Sequence, residues 1–414
     1  MVITIRKSPE PAKMDAGVLA PLIAEFEASL EALGHSRLTV GGYTDSARHF
    51  AAWLFDAGLQ VDEAGKDTVD LFARHHCRCA GGRRWNGVSR KYARRAGRFV
   101  AFLSDRGIIP PAPGAATDIV HPQISGYQRW LSIHRGLSDC SVLRQGRMIK
   151  RLLPALGEDP LAYGAATIRS AVRAEAQRCS PSHIRTVTSA HRGYLRFLAA
   201  SGLCRSGLGQ AVPPVLQWRL SALPRYLPTT DIERMIASCD LTTPLGLRDR
   251  AILLLLGRLG LRAGDVLSMC LDDFDWAAGM VHVCGKSRRG VRLPLPQDVG
   301  DAVLAYVESG RPSVTEGRLF LRSIAPFRPF RTSSSIAGIV ARALRRAGIE
   351  DPPSKGASLL RHSAATAMLR AGATLEAVGA VLRHRSLDMT AHYAKVDMPM
   401  LEMIAQPWPG EGSC

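Results

Sequence analysis

Two clusters of helix-breaking residues decide how this chain can fold, because neither can lie inside a regular element. Pro110-Pro111-Ala112-Pro113-Gly114 forms a stiff break, and the stretch from Arg205 to Pro228 carries Pro213, Pro214, Pro224 and Pro228. They cut the 414 residues into three lengths, and a chain of that size supports two or three cores. The resulting expectation is a helical lobe over 15–109, a second helical lobe over 118–204, a linker over 205–228 and a third domain over 229–414.

The first two lengths keep the helical period. Leu19, Leu22, Ile23, Phe26 and Leu30 recur at i, i+3, i+4 and i+7 spacing, and Phe99, Phe102 and Leu103 do the same. They also echo one another. Gly34-His35-Ser36 through Val40, followed by Phe50 and Leu54, resembles Gly136-Leu137-Ser138 through Val142, followed by Leu152 and Leu156. The pattern of Phe99, Phe102, Leu103 and Gly107 returns as Tyr194, Phe197, Leu198 and Gly202, each glycine falling just past a helix end. Duplication of one lobe and coincidence between two four-helix lobes both fit this echo.

The third length changes character. Thr230-Asp231-Ile232-Glu233 has the form of a capping box and predicts a helix start, with a second helix over Leu247–Leu259. Met280–Cys284 and Val291–Leu295 alternate around Gly285–Gly290, the pattern of a hairpin with a basic turn. Helices are expected again at about 298–309, 334–347, 358–371, 375–384 and 387–395. The fold class is therefore mainly α with a small antiparallel β-sheet, an α+β domain behind helical lobes.

No membrane partner is expected, since the longest apolar stretch, Ala251–Leu261, is interrupted by Arg258 and falls short of the roughly 20 residues a span needs. The N-terminus lacks the apolar run of an export signal, so a cytoplasmic protein is expected. Nine scattered cysteines read as reduced thiols. The group His75-His76-Cys77-Arg78-Cys79 suggests zinc, but its Cys-x-Cys spacing is unusual and no second ligand pair follows, so no metal is expected.

Charge is more informative. Fifty-four Lys+Arg against 36 Asp+Glu give a net +18, which favours a polyanionic partner; a generally basic background is the alternative. Arg74 to Arg98 holds nine Lys/Arg and no carboxylate, and within it Arg83, Arg84, Arg90, Lys91, Arg94 and Arg95 are candidate phosphate contacts. Trp85 and Tyr92 in the same run suit either stacking on nucleotides or the core.

The chain has no phosphate-cradling glycine loop, no G-x-S-x-G elbow and no H-E-x-x-H. What the third length offers is a set of cations and one tyrosine: Gly260-Leu261-Arg262-Ala263-Gly264-Asp265, the hairpin Gly285-Lys286-Ser287, Ser358-Leu359-Leu360-Arg361-His362, Leu382-Arg383-His384, and Ala391-His392-Tyr393. In this order and spacing, over about residues 228–404, the chain resembles the tyrosine recombinase, or phage integrase, family.

The resemblance implies a strand transferase of the type IB topoisomerase kind, encoded by a mobile element and needing no cofactor. Tyr393 would attack a DNA phosphodiester and leave a 3′-phosphotyrosyl link. Arg262 and Arg361 would clamp the non-bridging oxygens, Lys286 would protonate the departing 5′-oxygen, and His384 would add a hydrogen bond. Asp265, three residues after Arg262, would hold that arginine in place. The family's usual histidine three residues before the second arginine is here Ser358, which can donate a hydrogen bond but cannot shuttle a proton near neutral pH. His362, turned about 100° from Arg361 around the helix, is not taken as its replacement.

The resemblance further implies double-stranded DNA as partner, a clamp completed by the helical lobes, and a homo-tetramer on DNA or a hetero-assembly with related recombinases. The apolar tail Met398–Ile404 is a candidate for docking on a neighbouring protomer. A bacterial, nucleoid-associated location follows. Ser358 keeps a second reading open, a catalytically weak or inactive DNA-binding paralogue acting as architectural or regulatory partner of an active recombinase.

Overall fold

The computed structural model describes residues 16–77, 89–110, 121–215, 223–284 and 290–396. Arg83, Arg84, Lys286 and the tail Met398–Ile404 lie outside these residues. The chain divides into two compact units, Met1–Ile109 with Ala222–Cys414, and Pro110–Ser221.

The first unit opens with α1 (Ala20–Ala32), α2 (Arg37–Asp56), α3 (Lys66–Arg74) and α4 (Arg90–Asp105). Their apolar stripes meet in a core of Ile23, Phe26, Leu30, Phe50, Phe72, Phe99 and Leu103. The second unit repeats the arrangement with α5 (Pro122–Arg135), α6 (Asp139–Leu156), α7 (Ala165–Ala176) and α8 (Pro181–Ala200), around Tyr127, Ile149, Leu152, Ile168, Tyr194 and Leu198.

The echo extends to backbone geometry. Gly107 and Gly202 both take a left-handed conformation, with φ of 72° and 70°. Behind them Ile108 N–H donates to Leu103 O and Leu203 N–H to Leu198 O, the long bond that closes a helix of this kind. Ser36 and Ser138 occupy the N-cap positions of α2 and α6 without a side-chain bond to the helix backbone, and each hydroxyl instead lies within hydrogen-bond distance of a hydroxyl three residues on, at 3.0 Å and 3.1 Å.

The remainder of the first unit holds α9 (Thr229–Ala237), α10 (Pro244–Gly257), α11 (Ala263–Ser268), the strands β1 (Phe274–Asp275), β2 (Met280–Cys284) and β3 (Gly290–Pro294), then α12 (Gln297–Ala305), α13 (Ser333–Arg346), α14 (Ser358–Arg370), α15 (Leu375–Val381) and α16 (Leu387–Thr390). A 3₁₀ turn, Ala391–Val396, follows α16. Helix α10 is the axis of this domain: Ala251–Leu256 are all buried, because α9, α11, α12, α13 and α14 surround it. A helix apolar on every side is stable only in such a position.

The sheet is antiparallel in the order β1-β2-β3, with Val281 facing Leu293 and Val283 facing Val291. The hairpin lies where the alternation placed it. The edge strand β1 was not anticipated, since two residues carry no periodicity. Two helix starts also differ from expectation. Helix α9 begins at Thr229 behind Pro228 without a side-chain cap, so the Thr230 box does not form. Helix α10 begins three residues before Leu247, where Thr243 Oγ1 accepts the Gly246 N–H at 3.1 Å ahead of Pro244. Among the described residues no helix is long and apolar enough to cross a membrane.

Candidate active site

Arg262 sits just before α11, at the turn that leaves α10. Gly260 makes that turn with φ of 59°, and a Cβ there would lie 2.5 Å from the Leu382 side chain. Only glycine lets the end of α15 approach so closely. Asp265 is buried and its Oδ2 accepts the Arg262 backbone N–H at 2.8 Å. The same oxygen forms an ion pair with Arg383. Asp265 therefore holds Arg262 through its main chain and directs its charge to Arg383. The Arg262 guanidinium donates to the Arg383 carbonyl at 3.2 Å.

Helix α14 supplies the second arginine. Arg361 is 8% exposed; its guanidinium donates to Gly260 O at 2.5 Å and to Leu382 O. One side chain thus ties together the segments that carry Arg262 and His384. Ser358 lies in the opening turn of α14 and is exposed. His362, the next residue after Arg361, faces another direction: its Nδ1 is 2.6 Å from the Tyr393 hydroxyl.

Two residues beyond α15, Arg383 takes φ of 55°, the one non-glycine residue with positive φ among those described. A left-handed conformation is uncommon for arginine and costs on the order of 1 kcal/mol. Here it turns the chain so that His384 N–H closes onto Gly379 O at 2.9 Å. His384 Nδ1 is 2.8 Å from Thr390 Oγ1, and its ring lies parallel to Tyr393, 6.2 Å between centroids. Tyr393, on the 3₁₀ turn, is 3% exposed.

Electrostatics mark the spot as an anion site. Burial, and then Arg262, bring Arg361 down to about 10, and burial also lowers Arg262. Arg383 and Arg385 add to the lowering of Arg262, and guanidinium groups crowded in this way are most stable with an anion among them. Burial raises the Tyr393 phenol while Arg361 and Arg262 pull it back. Burial, Arg361, Arg262 and His362 hold His384 at about 4, so at pH 7 it is a neutral hydrogen-bonding group. A cleft of about 930 Å³ opens beside these residues, lined by Arg262, Arg383, His384, Arg385, Ser386 and Thr390 among others.

The structure brings Arg262, Arg361, His384 and Tyr393 together from positions up to 131 apart in the chain. Sequence reasoning set His362 aside because it cannot share a face with Ser358 and Arg361. That same rotation aims it at the tyrosine. Arg383 and Arg385, to which the sequence reading gives no role, also line the cleft, and the run Arg383-His384-Arg385 is visible in the sequence as a cationic cluster. Of the basic run, Arg90, Lys91 and Arg94 are exposed on α4. Arg95 is not free for a phosphate: it donates to Gly42 O at 3.0 Å and lies over the Tyr43 ring at 5.6 Å. Tyr92 donates its hydroxyl to Asp45 O at 2.9 Å and packs on the core.

Residues 225–399 match the phage integrase family. Integrase/recombinase y4rA of Sinorhizobium fredii is 41% identical over 296 residues, covering 70% of this chain and 72% of that protein. A second protein of that organism, y4rF, is 33% identical over 330 residues, with 76% and 77% covered. Among solved structures, the Tn1549 transposon integrase in complex with transposon right end DNA superposes with a TM-score of 0.54 at 17% identity, covering 68% of this chain and 99% of that one. A lambda integrase dimer bound to a core site gives 0.52 at 17% identity, over 66% and 94%. These two likenesses are of fold. The site geometry, the family match and the extent of the y4rA relationship lead to one conclusion: the chain belongs to the phage integrase family, the tyrosine recombinases.

Proposed function

We propose that this protein is a site-specific DNA recombinase, the integrase or transposase of a mobile element, that cleaves and rejoins strands through a 3′-phosphotyrosyl intermediate on Tyr393. The observation that carries the reading is the convergence of Arg262, Arg361, His384 and Tyr393 around one anion-favouring point.

In this mechanism a backbone phosphate enters the cleft and takes hydrogen bonds from both arginines and His384, where charge grows in the transition state. The Tyr393 oxygen bonds to phosphorus as the bond to the 5′-oxygen breaks. The phenol proton passes to His362, 2.6 Å away, and Lys286 returns a proton to the departing 5′-oxygen. Reversal of these steps with a new 5′-hydroxyl rejoins the strand. One phosphoester replaces another, so the chemistry, of the type IB topoisomerase kind, draws on no high-energy cofactor. Because Tyr393 is covered, the turn Ala391–Val396 has to shift for the hydroxyl to meet the phosphate.

Double-stranded DNA is the proposed partner, with the lobes over 15–109 and 118–204 gripping the duplex, the domain over 229–414 performing the chemistry, and a tetramer, of one chain or of related recombinases, forming on it. The bound DNA of the Tn1549 and lambda integrase structures supports this assignment. Retention of both arginines, His384 and Tyr393 favours the active reading over a silent paralogue. A nicked suicide substrate carrying the element's ends tests it: an SDS-resistant protein–DNA adduct forms, and is lost in Tyr393→Phe. Tight binding without adduct establishes the silent reading instead.

A further inference from the structure

The group His75-His76-Cys77 acquires a partner that no downstream search would have found. His49, on α2, lies against it: His49 Nε2 is 3.3 Å from Cys77 Sγ, and donor atoms of His49, His75 and Cys77 all fall within 4.8 Å of one another. We propose that His49, His75 and Cys77 bind one divalent ion of the zinc class, which ties α2 to the end of α3 at the start of the basic run. The inference is independent of the recombinase reading.

The spacing suits such an ion. With zinc–nitrogen bonds of about 2.0–2.1 Å and zinc–sulfur bonds of about 2.3 Å, a tetrahedral site holds its donors roughly 3.3–3.8 Å apart, so small side-chain rotations suffice. Two imidazoles and a thiolate form a donor set that selects zinc or cobalt over calcium or magnesium. The His75 tautomer is already set. Its Nδ1 donates to Phe72 O at 2.5 Å, which places the ring's lone pair on Nε2 and orients it in the manner common to metal-bound histidines.

An apolar wall surrounds the cluster. Phe72 stacks on His75 at 5.0 Å, Tyr92 lies 5.5 Å from His49, and Trp53 lies 5.7 Å from His75. His49 and Cys77 are both buried. Such surroundings limit water at the site and strengthen metal–ligand attraction. Three protein donors leave a fourth position for water or another ligand. A second trio, Glu175, Cys179 and His183, differs in kind: Arg151 already pairs with Glu175, and the Cys179 thiol donates to the same carboxylate.

The test uses the full-length protein, stripped with chelator and titrated with Co²⁺. The expected result is a thiolate-to-cobalt charge-transfer band that saturates at one equivalent, bleaches when zinc is added, and is absent in Cys77→Ser but intact in Cys179→Ser. Zinc should also raise the melting temperature of the stripped wild type. No charge-transfer band in the wild type overturns the proposal, as does a band that survives Cys77→Ser or disappears in Cys179→Ser. Should Cys77→Ser fail to fold, the wild-type spectrum and stoichiometry together with Cys179→Ser still decide.

Discussion

Replacing His362 tests the assignment of the proton acceptor. A phenol of ordinary pKa about 10 and an imidazole of about 6.5 differ by roughly 3.5 units, so full proton transfer before attack is uphill by about 5 kcal/mol. The protein widens that gap. Burial raises Tyr393, and burial, His392 and Arg361 lower His362. The proton therefore leaves as the oxygen–phosphorus bond forms, and an acceptor at 2.6 Å contributes the 10²–10⁴-fold usual for a positioned base, about 2.7–5.5 kcal/mol. We expect His362→Phe to slow single-turnover adduct formation on a nicked substrate by that factor without changing DNA affinity. His362→Gln can hold the hydroxyl but not keep its proton, so it should remain slow. Because the His362 pKa lies below its ordinary value, the wild-type rate should be flat from pH 8 to about 6.5 and fall only at lower pH, as the imidazole protonates. Full activity in His362→Gln, or a rate that rises on acidification, would refute the reasoning.

Three further outcomes follow from the same geometry. Arg361→Ala should abolish cleavage and also lower stability by about 2–5 kcal/mol in chemical denaturation, since the Gly260 and Leu382 carbonyls lose their shared buried donor; an unchanged unfolding midpoint would contradict this. Ser358→His should raise the adduct-formation rate, at most by about 10²-fold, the low end of a positioned acid–base group, by adding a second such group beside His362; an unchanged or lower rate would refute that gain. In salt titrations of DNA binding, Arg94→Ala should reduce the slope of log K against log salt by about 1. Arg95→Ala should leave that slope intact and instead loosen the first lobe, because Arg95 already donates to Gly42 O.

The sequence by itself determined the helical character of both lobes, the hairpin, and the order of the cations leading to Tyr393. These are local properties: proline and glycine act on their own backbone, and helical or strand periodicity is written over a handful of residues. The helix start at Thr229 and the two-residue strand β1 left no local pattern, whereas the start of α10 is written in Thr243-Pro244, a capping threonine ahead of a proline. Which side chains meet was decided by tertiary structure alone. Adjacent residues on a helix point about 100° apart, so Arg361 reaches the Gly260 carbonyl while His362 reaches Tyr393; spacing gives the divergence but not its targets. Asp265 turning its charge to Arg383 and His49 joining Cys77 have the same origin. Contacts across 118 or 28 residues exist only once separate helices have buried their apolar faces against each other, and that packing is not encoded at any one position.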